Sequence, residues 1–218
     1  MPIIAYSLTL IAGYLLGSIP TGFLVAEAKG VDIRKVGSGN IGATNVFRYL
    51  GKPAGVFVLL ADALKGLLAV IVLSKFIGGW CYPDADQLER EWFEIAAGTS
   101  AILGHNYTIW LYFKGGKGIA TSAGVLAALV PGPLAIILGV WIIVFALTRY
   151  VSLASILASF TLPFASWLTH RSLKMIIVSA CMAVLAIYKH RANIKRLLAG
   201  TETRLSLKKN PPLPGPTT

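Results

Sequence analysis

Apolar residues in this chain do not alternate with polar ones. They come in long continuous runs, separated by short polar stretches rich in Lys, Arg and Gly. Runs of about 20 mainly apolar residues fit membrane-crossing helices, whereas half-buried strands would show a two-residue alternation. The pattern predicts an all-α polytopic membrane protein with seven transmembrane helices at about 3–26, 53–76, 93–112, 119–130, 134–147, 151–168 and 173–188. Gly13 and Gly17, at GxxxG spacing, predict close packing of the first helix, and Pro20 predicts a kink near Ser18 and Thr21. The first run lacks a basic leader and a clear cleavage site and reads as a retained span. The fourth is too short to cross a full bilayer alone and is expected to be tilted or partly re-entrant.

Composition agrees. With 56% hydrophobic and only 13% charged residues and a mean hydropathy of +0.71, a soluble domain is excluded. A net charge of +11 would suggest nucleic acid in a soluble protein, but here the excess lies between apolar runs. Topology and anionic ligands account for it, and no nucleic-acid partner is expected. Of the 20 Lys and Arg residues, 15 follow the first, third, fifth and seventh runs. The positive-inside rule then puts the N-terminus outside and the C-terminus in the cytoplasm. The stretch 77–94, with Asp84, Asp86, Glu89, Glu91 and Glu94, is an outer loop in this reading. One seven-helix domain is expected over 1–200, followed by a basic, Pro-rich cytoplasmic tail over 201–218 that is expected to be disordered. Cys81 and Cys181 form neither a zinc spacing nor a disulfide framework, and no metal-ligand cluster appears. Neither a metal nor a cofactor is expected.

The chemistry is expected where polar residues interrupt the oil. In Phe113-Lys-Gly-Gly-Lys-Gly-Ile-Ala-Thr121, three glycines, Lys114, Lys117 and the start of an apolar helix combine bare N–H groups, charge and a helix N-terminus. That is an anion site, most naturally for phosphate; the plain alternative is a basic cytoplasmic loop. Gly37-Ser-Gly-Asn-Ile-Gly42 matches GxGxxG, with Asp62 twenty residues on, but it follows a membrane helix rather than a strand. It reads better as a turn whose N–H groups, with Ser38, Asn40 and Asn45, face an oxyanion or a second phosphate. The lysine stretch is no Walker A loop either, since Leu111 stands where its first glycine belongs.

Other positions keep two readings. Arg149 is an anion ligand or a membrane-border anchor, and Ser155 a functional or a packing residue. His190 and Asn193 share a helical face at the border, where a histidine more often caps than catalyses; His105 and Asn106 read the same way. Asp62 and Lys65, three apart inside an apolar run, form a structural ion pair or a functional one. Under the charge-based topology, Ser38–Arg48, Lys114–Thr121, Arg149–Ser155 and His190–Arg196 all lie on the cytoplasmic side.

Five motifs in order resemble the bacterial acyl-phosphate:glycerol-3-phosphate acyltransferases. They are Gly-Ser-Gly-Asn-Ile-Gly-Ala-Thr-Asn at 37–45, Gly-His-Asn-Tyr at 104–107, the lysine–glycine stretch at 113–121, Thr-Arg-Tyr-Val-Ser-Leu-Ala-Ser at 148–155 and His-Arg-Ala-Asn-Ile-Lys-Arg-Leu-Leu at 190–198. The resemblance runs from the first helix to about Glu202. It implies a seven-helix enzyme of the bacterial inner membrane, working on its cytoplasmic side. The reaction it implies moves a fatty acyl group from acyl phosphate to the 1-hydroxyl of glycerol 3-phosphate, giving lysophosphatidic acid and inorganic phosphate. An acyl-phosphate synthase would supply the donor, membrane lipid would surround the acyl chain, and a monomer is expected.

The resemblance also assigns residues. Lys114 with the backbone of Gly115, Gly116, Lys117 and Gly118 should hold a phosphate, with Thr121, Asn40 and Arg149 nearby in role. Ser38, Arg48, Ser152, His190 and Asn193 should line the glycerol phosphate and the reaction centre, and Asn45 should fix the Ser38 loop or donate to a phosphate. The HxxxxD motif of soluble-type acyltransferases is missing, because Trp110 stands five residues after His105. An acyl phosphate is already activated, so a strong protein base is less needed and substrate phosphate can take the proton. The oxyanion donor is Asn193 or a glycine N–H. No acyl-serine is required, although Ser38 and Ser152 are the hydroxyls that would carry one. The rival from another class is a transporter of an organic phosphate, which the missing inverted repeat disfavours. A lipid phosphatase would want a nucleophilic His or Asp among arginines near the lysines, and none is there.

Overall fold

Where apolar runs enter lipid, their backbone polar groups can be satisfied internally only by helix or closed barrel. The chain takes the helical solution. A computed structural model describes residues 2–205, and among these there are eleven α-helices and no strand. Of the tail expected to be disordered, 206–218 lie outside the described residues. Helices α1 (Pro2–Ser18) and α2 (Thr21–Glu27) are one apolar run broken at Ile19–Pro20, as the proline predicts. After α3 (Ala43–Leu50), α4 (Lys52–Leu68) passes through a π-helical turn at Ala69–Leu73 into α5 (Ser74–Cys81). Then come α6 (Gln87–Asn106), α7 (Ile119–Leu129), α8 (Pro131–Thr148), α9 (Val151–Leu168), α10 (Leu173–Lys189) and α11 (Arg191–Leu198).

The third predicted helix shifts by about six residues, from 93–112 to Gln87–Asn106. The acidic residues assigned to an outer loop explain the shift. Asp86 accepts from the Glu89 N–H at 2.8 Å while the Glu89 side chain accepts from the Asp86 N–H at 3.0 Å. This capping box satisfies orphan donors and starts the helix early. The second helix correspondingly runs on to Cys81, leaving a short connection of 82–86.

By length and composition, four stretches can cross a membrane: Ile3–Glu27, Lys52–Cys81, Pro131–Thr148 and Val151–Leu168. Leu173–Lys189 with Arg191–Leu198, bent by 58°, makes a fifth if counted as one span. Helix α6 falls outside because Glu89, Arg90, Glu91 and Glu94 crowd its first turns, and α7 because it has only 11 residues.

Packing divides the described chain into two compact units, one ending at Leu129 and the other starting at Val130. In the first, α1 lies along α6, α4 along α7, and α3 against α4. The α1–α6 crossing is close because it is built on small residues. A Cβ at Gly17 would overlap the Ala101 carbonyl, and one at Gly13 the Ser100 hydroxyl. In the second unit α8, α9 and α10 pack in chain order, with α11 against α9 and α10.

Gly17→Leu should therefore force α1 off α6. We expect a loss of about 1–3 kcal/mol, read as a lower melting temperature of the detergent-solubilised protein. An unchanged melting curve would show that the two helices do not pack this closely.

Candidate active site

In the first unit the Ser38 turn lies between a 3-10 turn at Ile33–Lys35 and α3. Gly37 and Gly39 have φ of 57° and 66°, a left-handed backbone that glycine adopts without cost. The turn is held from inside by Asn45, which is buried. Its amide nitrogen donates to the carbonyls of Ile33 and Val36 at 3.2 and 3.1 Å, and its oxygen accepts from the Ser38 N–H at 3.3 Å. Asn40 is also spent locally, accepting from the Gly42 N–H at 2.8 Å. Ser38 itself is exposed, and Arg48, on the following helix, is half-buried.

The lysine–glycine stretch starts from a compressed turn. Tyr112 and Phe113 both take positive φ, and the Phe113 N–H donates back to Thr108 at 2.9 Å. Leu111, three residues before Lys114, belongs to the apolar cluster of Ile33, Ile41, Val46, Ala54 and Val58. That shared core anchors the Ser38 turn and the lysine stretch to the same part of the unit. Lys114 is exposed and Lys117 half-exposed.

The glycines there serve a purpose that the sequence did not suggest. The Gly115 and Gly116 N–H groups were expected to face a phosphate. Instead they donate to the carbonyls of Asn106 and His105, at 3.3 and 3.0 Å. These are the last carbonyls of α6, which no residue of that helix can satisfy. A Cβ at either glycine would overlap that same chain end. The donors left for an anion lie further along, in the first turn of α7, whose N–H groups have no partner within the helix. Thr121, in that turn, is buried with its backbone against Gly66 of α4.

Beneath the loop lies a buried ionic cluster. The Lys65 ammonium donates to Asp62 Oδ1 at 2.8 Å, to His105 Nδ1 at 3.0 Å and to the Ile19 carbonyl at 2.9 Å. Asp62 Oδ1 also accepts from the Thr21 hydroxyl at 3.1 Å. All three ionisable side chains are at most 6% exposed.

The second unit gathers Ser152 and Asn193 around a residue that the sequence reading left in the tail. Glu202 Oε1 accepts from the Ser152 hydroxyl and the Asn193 amide, each at 2.9 Å, and Oε2 accepts from Arg196 Nε at 2.8 Å. The signal available was that Glu202 is the only acidic residue after Glu94. His190, buried, places Nδ1 2.8 Å from the Ala186 carbonyl. A carbonyl only accepts, so Nδ1 carries the proton, and Nε2 is an acceptor when the ring is neutral. Arg149 ends α8 in a left-handed conformation (φ 62°), with its carbonyl accepting from the Leu205 N–H at 2.9 Å. Ser155 is taken up in packing, accepting from the Trp141 indole at 3.1 Å.

Fold and polar motifs together define the class, a multi-pass helical membrane protein with cationic, glycine-rich turns. Within that class the chain belongs to the glycerol-3-phosphate acyltransferase family, whose model matches residues 7–200. The glycerol-3-phosphate acyltransferase of Geotalea daltonii is 48% identical over 195 residues, covering 88% of this chain and 94% of that one. The corresponding protein of Desulforudis audaxviator is 46% identical over 210 residues, 96% of this chain and 100% of that one. Among solved structures the chain resembles PlsY, an integral membrane glycerol 3-phosphate acyltransferase. Its glycerol 3-phosphate form superposes with a TM-score of 0.80 at 40% identity, covering 92% of this chain and 96% of that one. Its lysophosphatidic acid form gives 0.78 at 39% identity, with 92% and 95% covered.

Burial alone would raise the Glu202 carboxyl, but the hydrogen bonds from Asn193, Ser152 and Arg196 outweigh it and bring it below its ordinary 4.5. A depressed carboxylate contributes stability that is complete above its unfolded value and is lost as pH falls through the folded one. At neutral pH the protein should thus melt higher than Glu202→Gln, and the gap should narrow as pH falls below 4.5 and through the lowered folded value. An equal gap at neutral and acid pH would show that the charge of Glu202 plays no part.

Proposed function

We propose that this protein transfers a fatty acyl group from an acyl phosphate to the 1-hydroxyl of glycerol 3-phosphate. The products are lysophosphatidic acid and inorganic phosphate. The observation that carries the reading is the whole-chain similarity to an enzyme solved with the acceptor and with the product of this reaction.

The acceptor hydroxyl attacks the acyl carbonyl, the new C–O bond forms, and the bond to the phosphate oxygen breaks. The departing phosphate takes the hydroxyl proton, so no strong protein base is needed. Both substrates carry phosphate, which calls for cations and N–H donors. Lys114, Lys117 and the first turn of α7 supply one group of them, and Arg48 beside the Ser38 turn supplies another. Within the second unit, the residues we assign to the reaction are Arg149, Ser152, His190 and Asn193. Asn193 gives one amide N–H to Glu202, which fixes the orientation of the other and makes Asn193 our choice of oxyanion donor.

In the membrane, α6 and α7 join the apolar spans to bring the count to seven, α6 with its charged first turns at the outer surface. The distribution of Lys and Arg supports an outer N-terminus and a cytoplasmic reaction side. The protein acts as a monomer in the bacterial inner membrane, coupled in function to an acyl-phosphate synthase.

Purified in detergent and given palmitoyl phosphate with glycerol 3-phosphate, the protein should form lysophosphatidic acid. Lys114→Ala should lower kcat/KM by about 100-fold or more with melting unchanged, and Asn193→Ala by as much, with melting somewhat lower because Glu202 loses one of its donors. Normal turnover by either variant would remove that residue from the site. Phosphate release that does not require glycerol 3-phosphate would identify a hydrolase instead.

A further inference from the structure

Among the described residues of the first unit, the buried acidic and basic side chains are Asp62, Lys65 and His105, and the reaction above uses none of them. An ammonium has no lone pair, so in the 3.0 Å contact between Lys65 Nζ and His105 Nδ1 the imidazole must accept. That leaves the ring proton of His105 on Nε2. The Nε2 edge occupies the space where a side chain at Gly116 would begin. The backbone of the same histidine holds the same glycine, since the Gly116 N–H donates to the His105 carbonyl at 3.0 Å. The loop is thus fixed from two sides by one residue, whose ring is oriented by Lys65.

We propose that Lys65, paired with Asp62, locks the ring of His105 under Gly116 and so sets the position of the Lys114–Gly118 loop. His105 is then a positioning residue for phosphate binding. This rests on the proposed reading of that loop as a phosphate site. A loop held from beneath binds without first being ordered, so loosening it should weaken binding more than chemistry.

A double-mutant cycle between His105→Asn and Gly116→Ala tests this. The Asn amide oxygen can replace Nδ1 as acceptor for Lys65, preserving the buried cluster, but leaves the Nε2 position empty. His105→Asn should melt near the parent protein and raise KM for one of the two phosphorylated substrates about tenfold, with kcat within about twofold. His105→Gln, whose amide reaches the Nε2 position, should recover part of the loss. Gly116→Ala should weaken binding in the parent protein and cost clearly less in the His105→Asn background, where the methyl group has room. If His105→Asn does not fold, Gly116→Ala alone is read: it should raise KM for one phosphorylated substrate about tenfold with kcat within about twofold, and an unchanged KM would overturn the inference. Additive effects of the two changes, or a fall in kcat with KM unchanged, would overturn the inference while leaving an active parent enzyme. A parent protein that forms no lysophosphatidic acid would instead overturn the proposed reaction.

Discussion

A lysine and an aspartate in the middle of an apolar helix are the constraint on which the first unit depends. Leaving either charge alone in such surroundings costs several kcal/mol, so both must be matched on the spot. The match comes from groups at the breaks and ends of helices. Pro20 breaks the first apolar run, and at the break the Ile19 carbonyl accepts from both the Thr21 N–H at 3.0 Å and Lys65 at 2.9 Å. Thr21, just past the break, gives its hydroxyl to Asp62. His105, in the last turn of α6, completes the set. One ion pair therefore ties the break in the first run, the last turns of α4 and the end of α6 together. The end of α6 in turn carries the glycine loop through two backbone hydrogen bonds.

The second unit solves a similar problem with the sign reversed. Ser152, Asn193 and Arg196 are donors brought close to one point, and the Glu202 carboxylate collects all three. An exposed carboxylate–guanidinium pair is worth little, but here the Glu202 side chain is only 5% exposed and has further donors. The consequence is positional. Asn193 is held from the carboxylate side, and His190, one helical turn earlier, is held by a backbone carbonyl.

Much of this was legible in the sequence, and what was not has particular causes. Continuous apolar runs announced helices, Gly13 and Gly17 announced close packing of the first helix though not that α6 is its partner, and Pro20 announced the break. Long motifs such as 37–45 and 113–121 pointed to the family. The start of α6 was misplaced because Asp86 and Glu89 look like loop residues until they are seen to cap a helix. Gly115 and Gly116 were read for their N–H groups, since spacing cannot reveal that the end of α6 lies against them and uses those donors first. Asp62 and Lys65 were visible as a pair, but His105 lies forty residues further on and only the fold brings it there. Glu202 was passed over because a single acid in a basic tail carries no periodic signal.

The buried Asp62–Lys65 pair is what holds the first unit together. The most direct measurement is the melting of detergent-solubilised Lys65→Met beside the Asp62→Asn/Lys65→Met double variant. Lys65→Met leaves a buried carboxylate unmatched and should lose about 3–5 kcal/mol. The double variant removes both charges and should recover most of that loss. If Lys65→Met melts like the parent protein, or the double variant is no better than the single one, the pair does not carry the structure.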